Sequence, residues 1–334
     1  MTPPSLLFRI ASKLVSLYVR IRHAGVPPGY RYYYRNTYLC KLVQFKYVVA
    51  DFIRRKPYKM IGFDGEFGPD LQFALPHAYW HYKNGTLKAT QSTKFMGEFY
   101  YFSPEHTATF DRRTTEGNYN YDLPRTLYSH DYDMSKWTPV PLKEIYRNDV
   151  YVYEKPILII ANRYNQEWDG PPVSFLSVEV IDFIIRSLKD RYTIIYNRPK
   201  LAQIVMDNSD FHDLGEFDWL RREHPEVLLM EDLFQANRGN ARNYNHFQLQ
   251  LYANAERFIS THGGTSVLAS YFGGINLILS KKGPEHHFNC YQTLYPQLSG
   301  ATILHAKTDE EVKQYVQSHF AGAGQPASAT ALVS

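Results

Sequence analysis

Cysteine is nearly absent: Cys40 and Cys290 are the two in 334 residues. Two are too few for a disulfide framework, and their separation fits no zinc-ligand spacing, so the expectation is a self-supporting core in a reducing, cytoplasmic setting. The most apolar stretch near the start is too charged and too short to span a bilayer, and no small-residue cleavage site follows it as in a signal peptide. Also missing is any Gly-x-x-x-x-Gly-Lys-Ser/Thr sequence, which disfavours NTP hydrolysis. No Gly-x-Gly-x-x-Gly follows the first long apolar run of the second half, which argues against a nicotinamide dehydrogenase. Nothing resembles a DNA- or RNA-reading motif, and no nucleic-acid partner is expected.

Acidic residues are scarce where basic ones crowd. Residues 1–60 hold twelve Lys and Arg against Asp51 alone, while the remainder holds 25 against 32. The net charge of +4 therefore hides a local basic segment and does not describe a general polyanion-binding surface. Within it Leu6, Leu7, Ile10, Leu14, Val15, Leu17, Tyr18 and Ile21 recur at helical spacing, with Arg9, Lys13, Arg20 and Arg22 among them. Two readings follow: residues 5–23 lie as a basic amphipathic helix on an anionic membrane surface, or the helix docks on the protein and leaves its basic face in water.

What is present is an alternation of strands and helices. Met60-Ile-Gly-Phe63 reads as a strand running into Asp64-Gly-Glu-Phe-Gly68, then Leu71, Leu75, Ala78 and Tyr79 mark a helix ending near Asn84-Gly85. Residues 92–146 have weak periodicity and read as loop-rich. Pro156 to Ala161 is an apolar run suited to a central parallel strand, and Leu176, Val180, Ile181, Ile184, Ile185 and Leu188 require a helix. Further strands are expected near residues 192, 227, 258 and 276, with a helix over about residues 243–255. The expected fold class is α/β, with two Rossmann-like domains and a doubly wound parallel sheet in the C-terminal one. The expected division is residues 1–57 (basic segment), 58–151 (N-terminal acceptor-side domain), 152–318 (C-terminal donor domain) and 319–334 (disordered tail).

Ligands of such sheets bind beyond the carboxyl ends of the strands, so the loops there are the candidate site. Arg163 and Asn165 follow the first strand of the second half, and Asn197 and Arg198 follow the second. Later in the chain His262, Gly263, Gly264, Thr265 and Ser266 form a turn that opens a short helix. Two guanidinium groups with a helix N-terminus and hydroxyls make a diphosphate site. The alternative for the Gly-Gly pair is a tight turn serving only packing. Glu285, after the last expected strand, is a candidate ribose or sugar contact.

Taken together, Gly62-Phe-Asp-Gly-Glu-Phe-Gly68, Leu75-Pro-His-Ala-Tyr79, Ala161-Asn-Arg-Tyr-Asn165, Ile195-Tyr-Asn-Arg-Pro199 and Ser260-Thr-His-Gly-Gly-Thr-Ser266 resemble a little-described group of GT-B glycosyltransferases. The likeness spans about residues 58–285 and is similar in plan to fucosyltransferase-like enzymes. It implies a nucleotide-sugar donor whose diphosphate is bound by Arg163, with phosphate or ribose held by His262 to Ser266. The partners expected are that donor and a glycan or other hydroxyl acceptor, for hexosyl or deoxyhexosyl transfer.

Such a transfer needs a stabilised leaving group and, for inversion, a base for the acceptor hydroxyl. Asp64 and Glu66 are the candidate catalytic carboxylates, and capping of the following helix is the alternative role for either. Asp131-Tyr-Asp133 has the Asp-x-Asp form of a cation site but reads as a surface turn. His286-His287 with Cys290 reads as a donor-lining loop and not a metal site. The expected enzyme is metal-independent, with no cofactor. A non-catalytic α/β binding or scaffold protein and a nucleotide-sugar epimerase are the competing readings.

Overall fold

The computed structural model describes residues 6–124, 133–166, 170–199 and 212–322. It is an α/β protein with two all-parallel sheets of three and six strands among these residues. The strands are β1 (Lys59–Gly62), β2 (Leu87–Thr93), β3 (His106–Phe110), β4 (Ile157–Ala161), β5 (Thr193–Asn197), β6 (Leu228–Leu229), β7 (Arg257–Thr261), β8 (Ile275–Leu279) and β9 (Thr302–Ala306). The smaller sheet runs β1-β2-β3 and the larger β6-β5-β4-β7-β8-β9.

The larger sheet is wound in two directions from its centre. Five consecutive buried residues make β4 a strand that only a two-sided core accepts. Leu158 and Ile160 face one apolar cluster, shared with Val180, Ile181, Ile184, Ile185 and Leu188 of the helix Val178–Leu188. Ile159 and Ala161 face the other, with Phe247, Leu251 and Val267. Ser177 caps the first helix and Asn243 caps Tyr244–Ala253, each accepting a backbone N–H three residues on. Burying each of these large aliphatic side chains contributes about 1.5–3 kcal/mol, so the alternation along β4 is enough to hold helices on both faces.

In the smaller sheet a helical run over residues 67–83 carries the chain from β1 to the parallel β2. A wide turn at Asp70–Ala74 lies within it, and the run ends at Asn84 before Gly85 at φ +74°. Strands β2, β3 and β9 had no counterpart in the periodicity. β2 and β3 are rich in threonine and other polar residues, and β3 and β9 are sheet edges, where one side of the strand needs no apolar partner.

The two sheets share one apolar cluster, which runs from Ile61, Phe63 and Leu75 to Phe258, Leu268 and Tyr295. Hydrogen bonds cross the junction from Tyr271 Oη to the Leu71 carbonyl (2.6 Å) and from Gln72 Nε2 to Tyr295 Oη (3.0 Å). Residues 142–151 also lie against the larger unit: Leu142–Tyr146 packs on Tyr244–Ala253, and Asn254 Nδ2 donates to the Asn148 carbonyl at 2.8 Å. The tail expected to be disordered from residue 319 is ordered at its start. Phe320 is fully buried and its carbonyl accepts from Tyr192 Oη, because the last helix closes one face of the sheet; residues 323–334 lie outside the described residues.

The basic segment forms two helices, α1 (Leu6–Arg22) and α2 (Arg31–Phe45), followed by a wide helical turn at Val49–Arg54. Among the described residues no helix is long and apolar enough to cross a membrane. Cys40 and Cys290 are both free thiols and both buried.

Candidate functional site

β4 and β7 are neighbours, yet the chain leaves β4 toward β5 and leaves β7 toward β8. Their carboxyl ends therefore flank the crevice where the winding reverses, the place at which open parallel sheets take ligands. Ala161 pairs in register with Ser260, so Arg163 and the His262-Gly263 turn emerge side by side.

Local chemistry fixes both. Asn162 uses its whole amide on the loop: Nδ2 donates to the Leu176 carbonyl (3.0 Å) and Tyr196 Oη (3.1 Å), while Oδ1 accepts the amides of Leu176 and Arg163. The backbone of Arg163 is thus anchored before its side chain is considered. Gly263 has φ +95°, a conformation that favours glycine, and a Cβ on it would lie 2.7 Å from Arg163 Nη1. The turn requires glycine, and a side chain here would also push the Arg163 guanidinium aside.

After Gly263 the helix Gly264–Ala269 begins. Thr265 Oγ1 donates to the Thr261 carbonyl (3.0 Å) and Ser266 Oγ to the Gly263 carbonyl (2.8 Å), so both hydroxyl protons serve the turn itself. His262 is buried with Nδ1 3.0 Å from Tyr291 Oη, 3.4 Å from Ser280 Oγ and 3.9 Å from Glu285 Oε1. Burial, with Glu285 nearby, holds the Tyr291 hydroxyl well above its usual pKa, so it stays protonated and can donate to His262. Ser280 Oγ also meets His286 Nε2 at 2.9 Å. Burial, aided by His305, pulls His286 down to about 4, so its imidazole is neutral at pH 7. Ser280, Tyr291 and His305 were not picked out from the sequence. The one signal available was position, since Ser280 directly follows β8.

The turn after β1 comes to the same place. The Gly68 and Gly264 backbones are in contact: a Cβ built on Gly68 would lie 3.5 Å from the Gly264 amide nitrogen, and one on Gly264 would strike the Phe67 ring at 2.6 Å. Both predicted walls, Asp64 to Gly68 and His262 to Ser266, are therefore adjacent. Asp64 does not cap the helix; its backbone carbonyl accepts from the Thr114 amide (2.7 Å) and its carboxylate from Thr114 Oγ1 (3.4 Å). Glu66 is the N-cap residue, without a side-chain capping bond, and its amide donates to Asn118 Oδ1 at 2.9 Å. Beneath the turn Arg113, 2% exposed, donates to the Gly65 carbonyl (2.8 Å) and meets Asp70 (3.3 Å), which also accepts from Tyr100 Oη (2.6 Å). This buried support was not legible, because Asp70 and Arg113 are far apart in sequence and neither lies in a motif.

Two predicted donor contacts have other work. Arg198 is buried and grips the fully buried Glu216 through Nε and, at 3.0 Å, through Nη2; Nη1 donates to the His212 carbonyl at 3.1 Å. Asn197 donates to Gln248 Oε1 (2.7 Å) and Tyr252 Oη (2.8 Å) and accepts from Tyr244 Oη. These partners come from the helix Tyr244–Ala253 and from residues 212–216, so Asn197 and Arg198 tie the sheet to its surroundings. Asn165 is buried in the loop after β4, and Glu285 is buried beside His262.

His287 stacks on Tyr30 at 4.7 Å while His286 turns to Ser280, so the two adjacent histidines have separate environments. Asp131 lies outside the described residues; Asp133 accepts the Ser135 amide at 2.9 Å, as a turn residue does. Among the described residues no group of three or more His, Cys, Asp or Glu is placed to hold a metal ion. Compared with protein-family models, curated proteins and solved structures, the chain finds no match.

Proposed function

We propose that the protein is a GT-B-like glycosyltransferase that moves a hexosyl or deoxyhexosyl group from a nucleotide-sugar to a hydroxyl acceptor, with its two parallel sheets as two Rossmann-like halves. The observation that carries this reading is the Arg163 guanidinium set against Gly263 in the crevice between β4 and β7. A fixed cation there, next to the first amides of the helix Gly264–Ala269, suits a diphosphate, and it would stabilise the same group as it leaves. The Asp64 and Glu66 carboxylates stand on the adjoining turn, on the acceptor side, and either supplies the base an inverting transfer needs. Arg198 has no part in this site, its charge being taken up by Glu216.

The backbone contact between Gly68 and Gly264 supports a second reading, a binding or scaffold protein whose glycines serve close packing. A panel of nucleotide-sugars separates the two. A donor present at a hundred times its Kd stabilises the folded chain by about 2.7 kcal/mol, which a thermal melt detects. Arg163→Ala should lower that donor's affinity by about ten- to a hundredfold, as expected for loss of a charge-assisted hydrogen bond. If no nucleotide-sugar shifts the melt, the transferase reading is lost.

A further inference from the structure

Helix α1 has two apolar faces, and only one of them is covered. The covered face consists of Phe8, Ala11, Val15 and Val19, at spacings of three and four, with Val19 buried in the core cluster and Phe8 5.3 Å from the Tyr121 ring. The other face carries the residues that dominate the sequence pattern. Leu7 is 79% exposed, Leu14 63% and Ile21 72%, with Leu6, Ile10 and Leu17 also open to solvent. At roughly 100° per residue these six lie within an arc of about 100°, turned by about 130° from the docked face. On the same wheel Arg9, Lys13 and Arg20 line one margin of the stripe, and Arg22 lies beyond the other. The docked face of α1 is thus distinct from its leucine stripe, which is open to solvent.

A second exposed stripe follows at the end of α2. Leu42, Phe45, Val49, Phe52 and Ile53 are all solvent-facing, Phe45 at 77% and Ile53 at 73%. Lys41, Arg54, Arg55 and Lys56 are exposed around them. The one acid of this segment, Asp51, is fully buried, where it pairs with Lys136 and accepts from Tyr58 Oη. No acidic side chain therefore reaches the surface anywhere in residues 6–60.

Scattered exposed leucines are ordinary, but two apolar stripes in a segment whose own exposed charges are all basic, with Asp122 paired to Lys46 at its edge, mark an interaction site. We propose that this N-terminal surface docks on a bilayer containing anionic lipid, with α1 lying flat in the headgroup region and its leucines reaching into the acyl boundary. The basic margin selects the occupant. A second copy using the same face would bring two predominantly basic segments together, whereas an anionic leaflet neutralises them. The docked elements are joined to the candidate site, because Tyr30 stacks on His287 and Tyr33 meets Phe288 edge-on at 5.5 Å, in the segment that carries Glu285. Binding would hold the crevice in a fixed attitude to the membrane. The proposal does not depend on what the crevice transfers.

Vesicle flotation of the full chain tests it. The chain should float with phosphatidylcholine vesicles containing phosphatidylserine, should stay behind with phosphatidylcholine alone, and should be released as salt is raised. Leu14→Glu combined with Leu17→Glu should abolish flotation. Lys13→Gln and Arg20→Gln should each weaken it about fivefold, the effect of one surface charge near an anionic leaflet, while Lys88→Gln, exposed on the smaller sheet, should not. All four substituted positions on α1 point to solvent, so unchanged melting curves are expected and serve as the fold control. The proposal is overturned if anionic vesicles fail to float the wild-type chain at low salt, or if neutral vesicles float it equally well. It is also overturned if light scattering shows a dimer that the glutamate pair converts to monomer while vesicle binding is unaffected.

Discussion

Arg198→Met separates a structural arginine from a ligand-binding one. Glu216 is fully buried, and its carboxylate accepts from Arg198 Nε and Nη2 and from Tyr196 Oη at 3.0 Å. Methionine fills much of the aliphatic volume but removes the positive charge, leaving a buried carboxylate with one hydroxyl donor. Breaking one side of a buried ion pair costs about 3–5 kcal/mol. Protonating an ordinary glutamate at pH 7 costs about 4 kcal/mol, so relief by that route leaves a penalty of similar size. Against a typical folding free energy of about 5–15 kcal/mol, this moves a urea midpoint well outside error. Glu216→Leu alone leaves the guanidinium with the His212 carbonyl and the exposed Asp213 carboxylate and should also destabilise, whereas the double variant removes both buried charges. It should be more stable than the sum of the single losses implies, with a coupling energy of about 1–3 kcal/mol. Nucleotide-sugar affinity, measured by calorimetry on the folded fraction, should stay within about threefold of wild type, a change of less than 1 kcal/mol. The reasoning is refuted if Arg198→Met costs under about 1 kcal/mol of stability and also reduces donor affinity more than tenfold; Arg198 would then belong to the crevice.

Gly263→Ala should fail in both respects. Its φ of +95° imposes about 1–3 kcal/mol of backbone strain on alanine, and its Cβ would meet Arg163 Nη1 at 2.7 Å, so both the urea midpoint and donor affinity should fall; retention of full affinity would detach Arg163 from the turn. Acid should destabilise the smaller sheet through its histidines. Burial, with Lys59 and Lys136 nearby, holds His81 at about 3, whereas an unfolded histidine titrates near 6.5, so only the unfolded chain gains the proton between those values. The stabilisation is complete above about pH 6.5 and is lost as pH falls toward 3, at about 1.4 kcal/mol per pH unit for this one group. His81→Gln should flatten that part of a stability-against-pH curve, and an unchanged slope would count against the burial argument.

The strands that were legible in the sequence are those with no choice of environment. β4 is apolar throughout, and β7 and β8 carry short apolar runs at Phe258-Ile259 and Leu277-Ile-Leu279, because both faces of the larger sheet are covered; the helix Val178–Leu188 shows its stripe because one side meets that sheet. β3 and β9 were not legible because an edge strand tolerates polar residues, and β2, although central and mostly buried, was not legible because Thr90, Ser92 and Thr93 break its apolar pattern. The stripe of α1 was legible as a pattern, but the pattern does not say which apolar face is docked.

By itself the sequence determined the α/β class, the alternation through the second half, and the glycine turns at Gly65 and Gly263, because periodicity and backbone permissiveness are local properties of the chain. Only the tertiary structure decided what each of two similar arginines meets, since Glu216 reaches Arg198 and Gly263 reaches Arg163 through contacts that no spacing encodes. It also decided that the turns after β1 and β7 abut at Gly68 and Gly264, and that the leucines of α1 face water. Pairing of a charge and covering of a face are acts of distant segments, and they are settled when the chain closes on itself.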